Sequence, residues 1–327
     1  MKTIQQSYPE LAQALDTTEV YLKREDQHKY GSHKGRSIPL MIKKYSKEGP
    51  HTATIGGPFS DFVISSSGNA ALAAIHAIQA HNRNNDNKLT LKIFIGENIN
   101  AEKLKLLINL IEDPNITLTQ VENPKQTAFL VDKEGQAKNL RQSTDELALE
   151  GYTELAEELN KIPNLQAVFI PTSSGTTAEG LGLAFAKLNY QAQIHIVQTT
   201  ACHPIVDVIA RTPHTTEDEA IPVDIDETKG LPRPARAGLA MTATSLADAI
   251  VDQVGHRKEK VTDIIKNSKG AGWIGTDDEI LNAIELLKNT CKIKISPNSA
   301  LAIVGLKKAI ANGFKFSGPV VCLITGQ

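Results

Sequence analysis

The chain has 327 residues, 41% hydrophobic and 22% charged, with a formal net charge of −2, enough length for a sizeable core and two domains. A near-neutral balance without a sustained basic run excludes the phosphate-neutralising surface that nucleic-acid binding requires. The N-terminal MKTIQQSYPE is polar where a secretory signal is apolar, and no window reaches the roughly eighteen apolar residues of a membrane span, so a cytoplasmic protein without a membrane partner is expected.

In chain order, an apolar run predicts a strand at Glu19–Lys23, which leads into a glycine-containing turn with Lys34 at the start of a helix. A buried strand at Asp61–Ser65 is followed by an alanine-rich helix over Ala70–Ala80 and a polar loop over His81–Asn87. Leu91–Ile95 is a strand, and Ala101–Ile111 repeats leucine and isoleucine at helical intervals. The strand Ala167–Ile170, the helix Thr177–Leu188 and the strand Gln193–Val197 come next, and the acidic, proline-containing stretch Thr212–Lys229 reads as a surface loop. Thr276 and Glu279 form a capping box, Asn298 or Ser299 can cap a helix ending before Gly313, and Val320–Ile324 is a final strand. Strand and helix alternate throughout, which predicts an α/β fold of mostly parallel sheets with helices on both faces.

Cys202, Cys291 and Cys322 lack disulfide or zinc spacing and read as reduced packing thiols. The acidic runs Glu217 to Glu219 and Asp224 to Glu227 lack calcium-loop spacing, so no metal is expected. Cys202 and His203 are adjacent on a strand end, where neighbouring side chains diverge, and are read as structural.

Three segments carry chemistry. In Tyr21-Leu-Lys-Arg-Glu-Asp-Gln-His-Lys-Tyr-Gly-Ser-His-Lys-Gly-Arg36 the turn fixes the backbone of Lys34, and a helix N-terminus with neighbouring cations is what a Schiff-base lysine needs to lower its pKa. On this segment alone, an ordinary solvated lysine is the commoner reading. In Ile64-Ser-Ser-Ser-Gly-Asn-Ala-Ala71 a buried strand ends in small polar residues before a helix. That is either an anion cradle whose Asn69 amide can hold a phenolic oxygen, or a plain connection capped by Ser67 or Asn69. In Phe169-Ile-Pro-Thr-Ser-Ser-Gly-Thr-Thr-Ala178, Ser173, Ser174, Gly175, Thr176 and Thr177 can wrap a phosphate at a helix start. The GxGxxG and GxxxxGK[ST] patterns are absent, so a mononucleotide-sized phosphate ester suits the loop better than NAD or ATP.

The order of these motifs resembles the pyridoxal-phosphate enzymes of the tryptophan synthase β, or type II, fold. Gly31-Ser-His-Lys-Gly-Arg36, Ser67-Gly-Asn69, Ser173 to Thr177 and Thr325-Gly326 stand where that family has its lysine turn, Ser-Gly-Asn segment, phosphate loop and C-terminal hydroxyl. Gly151-Tyr-Thr-Glu-Leu-Ala-Glu-Glu158, Val197-Gln-Thr-Thr-Ala-Cys-His-Pro-Ile205 and Ser296-Pro-Asn-Ser-Ala-Leu-Ala-Ile-Val-Gly305 extend the similarity over nearly the whole chain.

The resemblance implies that Lys34 carries pyridoxal phosphate as a Schiff base and acts as general base, that Asn69 bonds the phenolic oxygen, that Ser173 to Thr177 hold the phosphate, and that Thr325 meets the pyridine nitrogen. His33 is a further candidate cofactor donor, and Ser65, Ser66, Ser67, Gly68 and Asn69 would bind the substrate carboxylate. It also implies a large cofactor domain of residues 1–50 and 150–327, a small mobile domain of residues 51–149, and a homodimer. Within the family the pattern is most similar to threonine synthase, which converts phosphohomoserine to threonine. A serine or threonine dehydratase, a β-replacement synthase and a non-catalytic binding protein are the alternatives, the last because Gly35 replaces a usual aspartate and the phosphate loop is poor in glycine. Arg24, Lys29 and Arg36 are candidates for a substrate phosphate.

Overall fold

The structure, a computed structural model, describes residues 2–48, 58–211 and 244–326. The expected loop at 212–229 and both acidic runs lie outside the described residues. Two compact units are present: Thr3–Glu25 with Ala156–Gln327, and Met1–Lys2 with Asp26–Leu155.

The chain begins in the larger unit with β1 (Gln5–Ser7), α1 (Pro9–Ala14) and β2 (Glu19–Arg24). The smaller unit follows with α2 (Lys34–Glu48), β3 (Asp61–Ser65), α3 (Asn69–Asn84), β4 (Thr90–Gly96), α4 (Ala101–Leu110), β5 (Ile116–Val121), α5 (Pro124–Lys133), β6 (Lys138–Asn139) and α6 (Leu147–Glu150). After α7 (Thr153–Leu159), the larger unit resumes with β7 (Ala167–Pro171), α8 (Thr176–Lys187), β8 (Gln193–Thr199) and α9 (Pro204–Arg211). It ends with α10 (Lys258–Asn267), β9 (Gly272–Gly275), α11 (Asp277–Thr290), α12 (Pro297–Ala311) and β10 (Pro319–Ile324).

In the smaller unit an all-parallel sheet has the order β5-β4-β3-β6. Ile38, Met41 and Ile42 of α2 join Ala71, Ala74, Ile75 and Ile78 of α3 in its core, and the small alanines let these helices lie close. That packing places residues 26–48, Lys34 included, in the unit with the Ser-Gly-Asn segment, whereas the sequence assigned residues 1–50 to the larger domain. Helix α3 continues to Asn84, so His81 to Asn84 are helical where a loop was expected. The predicted run was cut short because polar residues on a helix end mimic loop composition.

The larger unit holds a six-stranded sheet of order β1-β2-β10-β7-β8-β9, parallel except for the β1 and β2 pair. Strands β7 and β10 are buried at every residue, the continuous apolar pattern of a sheet covered on both faces. Helix α12 is buried from Ser299 through Leu306. Its cap is Ser296, whose Oγ accepts from Ser299 N ahead of Pro297, and neither expected residue fills that place. The Oδ1 of Asn298 instead accepts from Ala249 N at 3.0 Å, and Ser299 lies inside the helix. The Thr276 and Glu279 capping box is present.

Among the polar groups deep in this unit, Lys23 and His195 bear most directly on stability. Lys23 Nζ donates to Glu158 Oε2 and, at 3.1 Å, to Thr3 O, with both charged side chains buried. Fully buried His195 accepts from Trp273 Nε1 at 3.1 Å through Nδ1, which leaves Nε2 to donate to Gln193 Oε1 at 3.1 Å. Its ring stacks on Phe169 at 4.4 Å. Burial holds the imidazole neutral, with its pKa pushed down to about 3 from 6.5.

Removing one partner of a buried pair strands the other charge, so K23M should cost about 3–5 kcal/mol in chemical denaturation. For His195, the unfolded chain binds a proton below about pH 6.5 that the folded chain refuses until about pH 3. Its contribution is therefore complete above pH 6.5 and lost progressively as pH falls. From pH 7 to pH 4 this single group should remove up to about 3 kcal/mol. H195F should start less stable, because Trp273 Nε1 loses its acceptor, and should lose less on acidification.

Candidate active site

The smaller unit carries the expected lysine at the head of a helix. Gly31 N donates to His28 O at 2.7 Å to close the turn, and the Lys34 amide donates to Ser32 Oγ at 3.3 Å as α2 begins. Lys34 is part-exposed between buried His33 and Gly35. The unusual Gly35 has a steric cause: a Cβ there would lie 2.3 Å from His28 Nδ1 and 2.9 Å from Tyr30 Cβ. Buried His28 fills the space that a side chain after the lysine would take. The ring of His33 lies 6.4 Å from that of Tyr152, whose fully buried hydroxyl has no hydrogen-bond partner.

Asn69 is the first residue of α3, and Gly68 is its N-cap with no side-chain cap bond. The capped-connection alternative is therefore not realised: neither Ser67 nor Asn69 closes the helix end, and the first-turn amides are left for another acceptor. Ser66 Oγ accepts from Gly68 N at 3.3 Å. Ser65 ends β3, and Ser67 is exposed. Because α2 and α3 pack together, Lys34 and Asn69 head two neighbouring helices.

The larger unit carries the phosphate-loop candidate. Gly175 caps α8 at φ 88°, the left-handed region, again without a side-chain cap bond. A Cβ there would lie 2.8 Å from Val261 Cγ2 and 3.3 Å from both Arg257 Cβ and Ile205 Cδ1, so the backbone is seated on α9 and α10. Ser174 Oγ and Thr176 Oγ1 are 2.9 Å apart, and Thr177 is buried. The hydroxyl of Ser173 has a scaffold role, accepting from Val251 N at 3.1 Å and Asp252 N at 3.2 Å. One turn into α8, buried Glu179 pairs with buried Arg257 at 2.8 Å.

Thr325 follows β10. Because β10 runs parallel to β7, with Cys322 opposite Phe169, both strands end at one edge of the sheet, where parallel α/β sheets bind ligands. Thr325 is buried, its Oγ1 3.4 Å from Ser299 Oγ. Gly326 O accepts from Ser296 Oγ at 2.7 Å and Ser299 Oγ at 2.8 Å.

Of the phosphate candidates, Arg36 is held by Glu154 at 3.0 Å and Lys29 lies 4.8 Å over the Tyr30 ring. His203 pairs with Asp207 at 2.9 Å beside buried Cys202. Sequence reasoning gave no role to Tyr152 or Gln198, although both stand in segments that resemble the family; only Gln198, following Ile196 and Val197 on a buried strand, carried a local signal.

In the larger unit, an uncapped helix start with hydroxyls and a close-packed glycine is chemistry that suits a phosphate ester, and Thr325 offers a neutral hydroxyl; in the smaller unit, Lys34 offers an amine.

G35A should cost about 1–3 kcal/mol through overpacking. Pairing it with H28A should give less than the sum of the single effects, a coupling that a denaturation double-mutant cycle reads; additive effects would show that His28 does not set the glycine.

Comparison with known proteins places the chain in a family. The family described as pyridoxal-phosphate dependent enzyme matches residues 2–326. No match was found among curated proteins. Among solved structures, maize serine racemase is similar with TM-score 0.73 and 16% identity, over 100% of this chain and 88% of that one. The processed form of threonine deaminase isoform 2 from Solanum lycopersicum gives 0.73 and 19%, over 100% and 79%. A fungal L-serine ammonia-lyase from Rhizomucor miehei gives 0.73 and 15%, over 100% and 93%. At such identities these likenesses establish the fold, and the family match establishes the cofactor: the chain belongs to the pyridoxal-phosphate dependent enzymes of fold type II.

Proposed function

We propose that the chain is a lyase that eliminates or replaces a group at the β or γ carbon of a small amino acid, in the manner of threonine synthase. In this reading Lys34, His33 and Asn69, together with Ser173 to Thr177 and Thr325, are the residues that hold the cofactor. The observation that carries it is the buried Thr325 hydroxyl at the sheet edge it shares with the 173–177 loop.

Bound pyridoxal phosphate supplies an electron sink for the bonds at the substrate α carbon. Thr325 would offer a neutral hydroxyl to the ring nitrogen of the bound group and, unlike a carboxylate, would not enforce its protonation. Lys34 Nζ takes the α-proton as general base. The uncapped first-turn amides of α3, beginning at Asn69, with Gly68 and the hydroxyls of Ser65 to Ser67, hold the substrate carboxylate. A phosphorylated substrate, a cytoplasmic location and assembly as a homodimer belong to the same proposal.

A second reading, a serine or threonine dehydratase, is favoured by the similar solved structures, which include a threonine deaminase and an L-serine ammonia-lyase. The two separate by product. Inorganic phosphate and threonine formed from O-phosphohomoserine support the first; a 2-oxo acid and ammonia from L-serine or L-threonine support the second. In either case K34A should lower turnover at least about a hundredfold. A protein that turns over none of these substrates contradicts both.

A further inference from the structure

We propose that Gln198 is a positioning residue for the cofactor's phosphate, fixing the 172–177 loop from behind; this rests on the loop's assignment as the phosphate site. Gln198 is fully buried near the end of β8. Its Oε1 accepts from Ile205 N at 3.0 Å and Val206 N at 3.1 Å, in the first turn of α9. Two backbone donors facing one side-chain atom fix the orientation of the amide, because only the oxygen can accept from both. The Nε2 is thereby turned toward Thr172 O at 3.3 Å and Ser173 O at 3.4 Å, the first two residues of the loop.

One carboxamide thus ties the loop's entry to the start of α9. The bond to Ile205 has a second consequence, since Ile205 Cδ1 lies 3.3 Å from where a Cβ on Gly175 would stand. Gln198 therefore anchors both ends of the loop: Thr172 and Ser173 directly, and Gly175 through the side chain packed beneath it. The Ser173 hydroxyl on Val251 N and Asp252 N, and the Glu179 and Arg257 pair, hold the same loop from other sides. None of these groups needs to touch the phosphate. A loop whose amides must converge on one anion gains affinity when they are held in place before binding.

The substitution Q198E isolates the relevant half of this bracket. A glutamate still accepts from Ile205 N and Val206 N, but it turns an oxygen toward the carbonyls of Thr172 and Ser173 and pushes the loop away. Apo-protein would be titrated with pyridoxal phosphate by absorbance, and the 31P resonance of the bound phosphate recorded. I303V, altered in the buried face of α12, serves as a control for general destabilisation, and S174A/T176A tests the loop itself. Q198E is expected to weaken pyridoxal phosphate binding at least tenfold more than I303V and to move the 31P resonance, with Q198M intermediate. If S174A/T176A weakens binding while Q198E behaves like I303V, the role of Gln198 is overturned and the phosphate site stands. If S174A/T176A binds as tightly as wild type, the phosphate assignment fails, and the inference with it.

Discussion

The larger unit depends on where its last strand inserts. Residues Pro319–Ile324 are buried throughout and pair in parallel with β2 on one side and β7 on the other, Val320 standing opposite both Val20 and Ala167. Each fully buried aliphatic side chain of this strand contributes about 1.5–3 kcal/mol, so the insertion is firmly specified. A one-residue slip would reverse every side chain. With the register set, the residue after β10, Thr325, ends at the same sheet edge as the loop after β7. The residues after β10 and after β7 are thereby brought to the same edge.

Sheets buried on both faces leave little room for polar groups, and several of those present are held by partners. His195 bridges Gln193 and Trp273, Lys23 is matched by Glu158, and Gln198 saturates four backbone groups with one amide. An unpaired polar atom in such a place costs about 1–3 kcal/mol. These residues fix the angles at which loops leave the strands, and so connect the packing of the core to the chemistry at its edge.

Much of this was legible in the sequence because parallel strands are nearly continuous apolar runs. The strand at Asp61–Ser65 is found at its expected bounds, and those at 167–170 and 320–324 within one residue. The edge strand β5 was invisible, since its alternating threonines leave it half exposed. The lysine turn, the Ser-Gly-Asn segment and the phosphate loop were legible as motifs. The reason for Gly35 was not, because the ring that excludes a side chain belongs to His28, seven residues earlier and without any periodic relation to it. The cap of α12 was misplaced by two or three residues: Asn298 and Ser299 are good capping types, but Pro297 favours the first helical position, which leaves Ser296 as the cap.

The central claim is that Lys34, at the head of α2, is the residue that carries the cofactor. Borohydride reduction of the protein loaded with pyridoxal phosphate, followed by peptide mapping, tests it most directly. The account predicts a stable phosphopyridoxyl mass on the peptide containing Lys34 and on no other peptide at comparable yield. A label distributed over surface lysines, or one that persists unchanged in K34A, would contradict it.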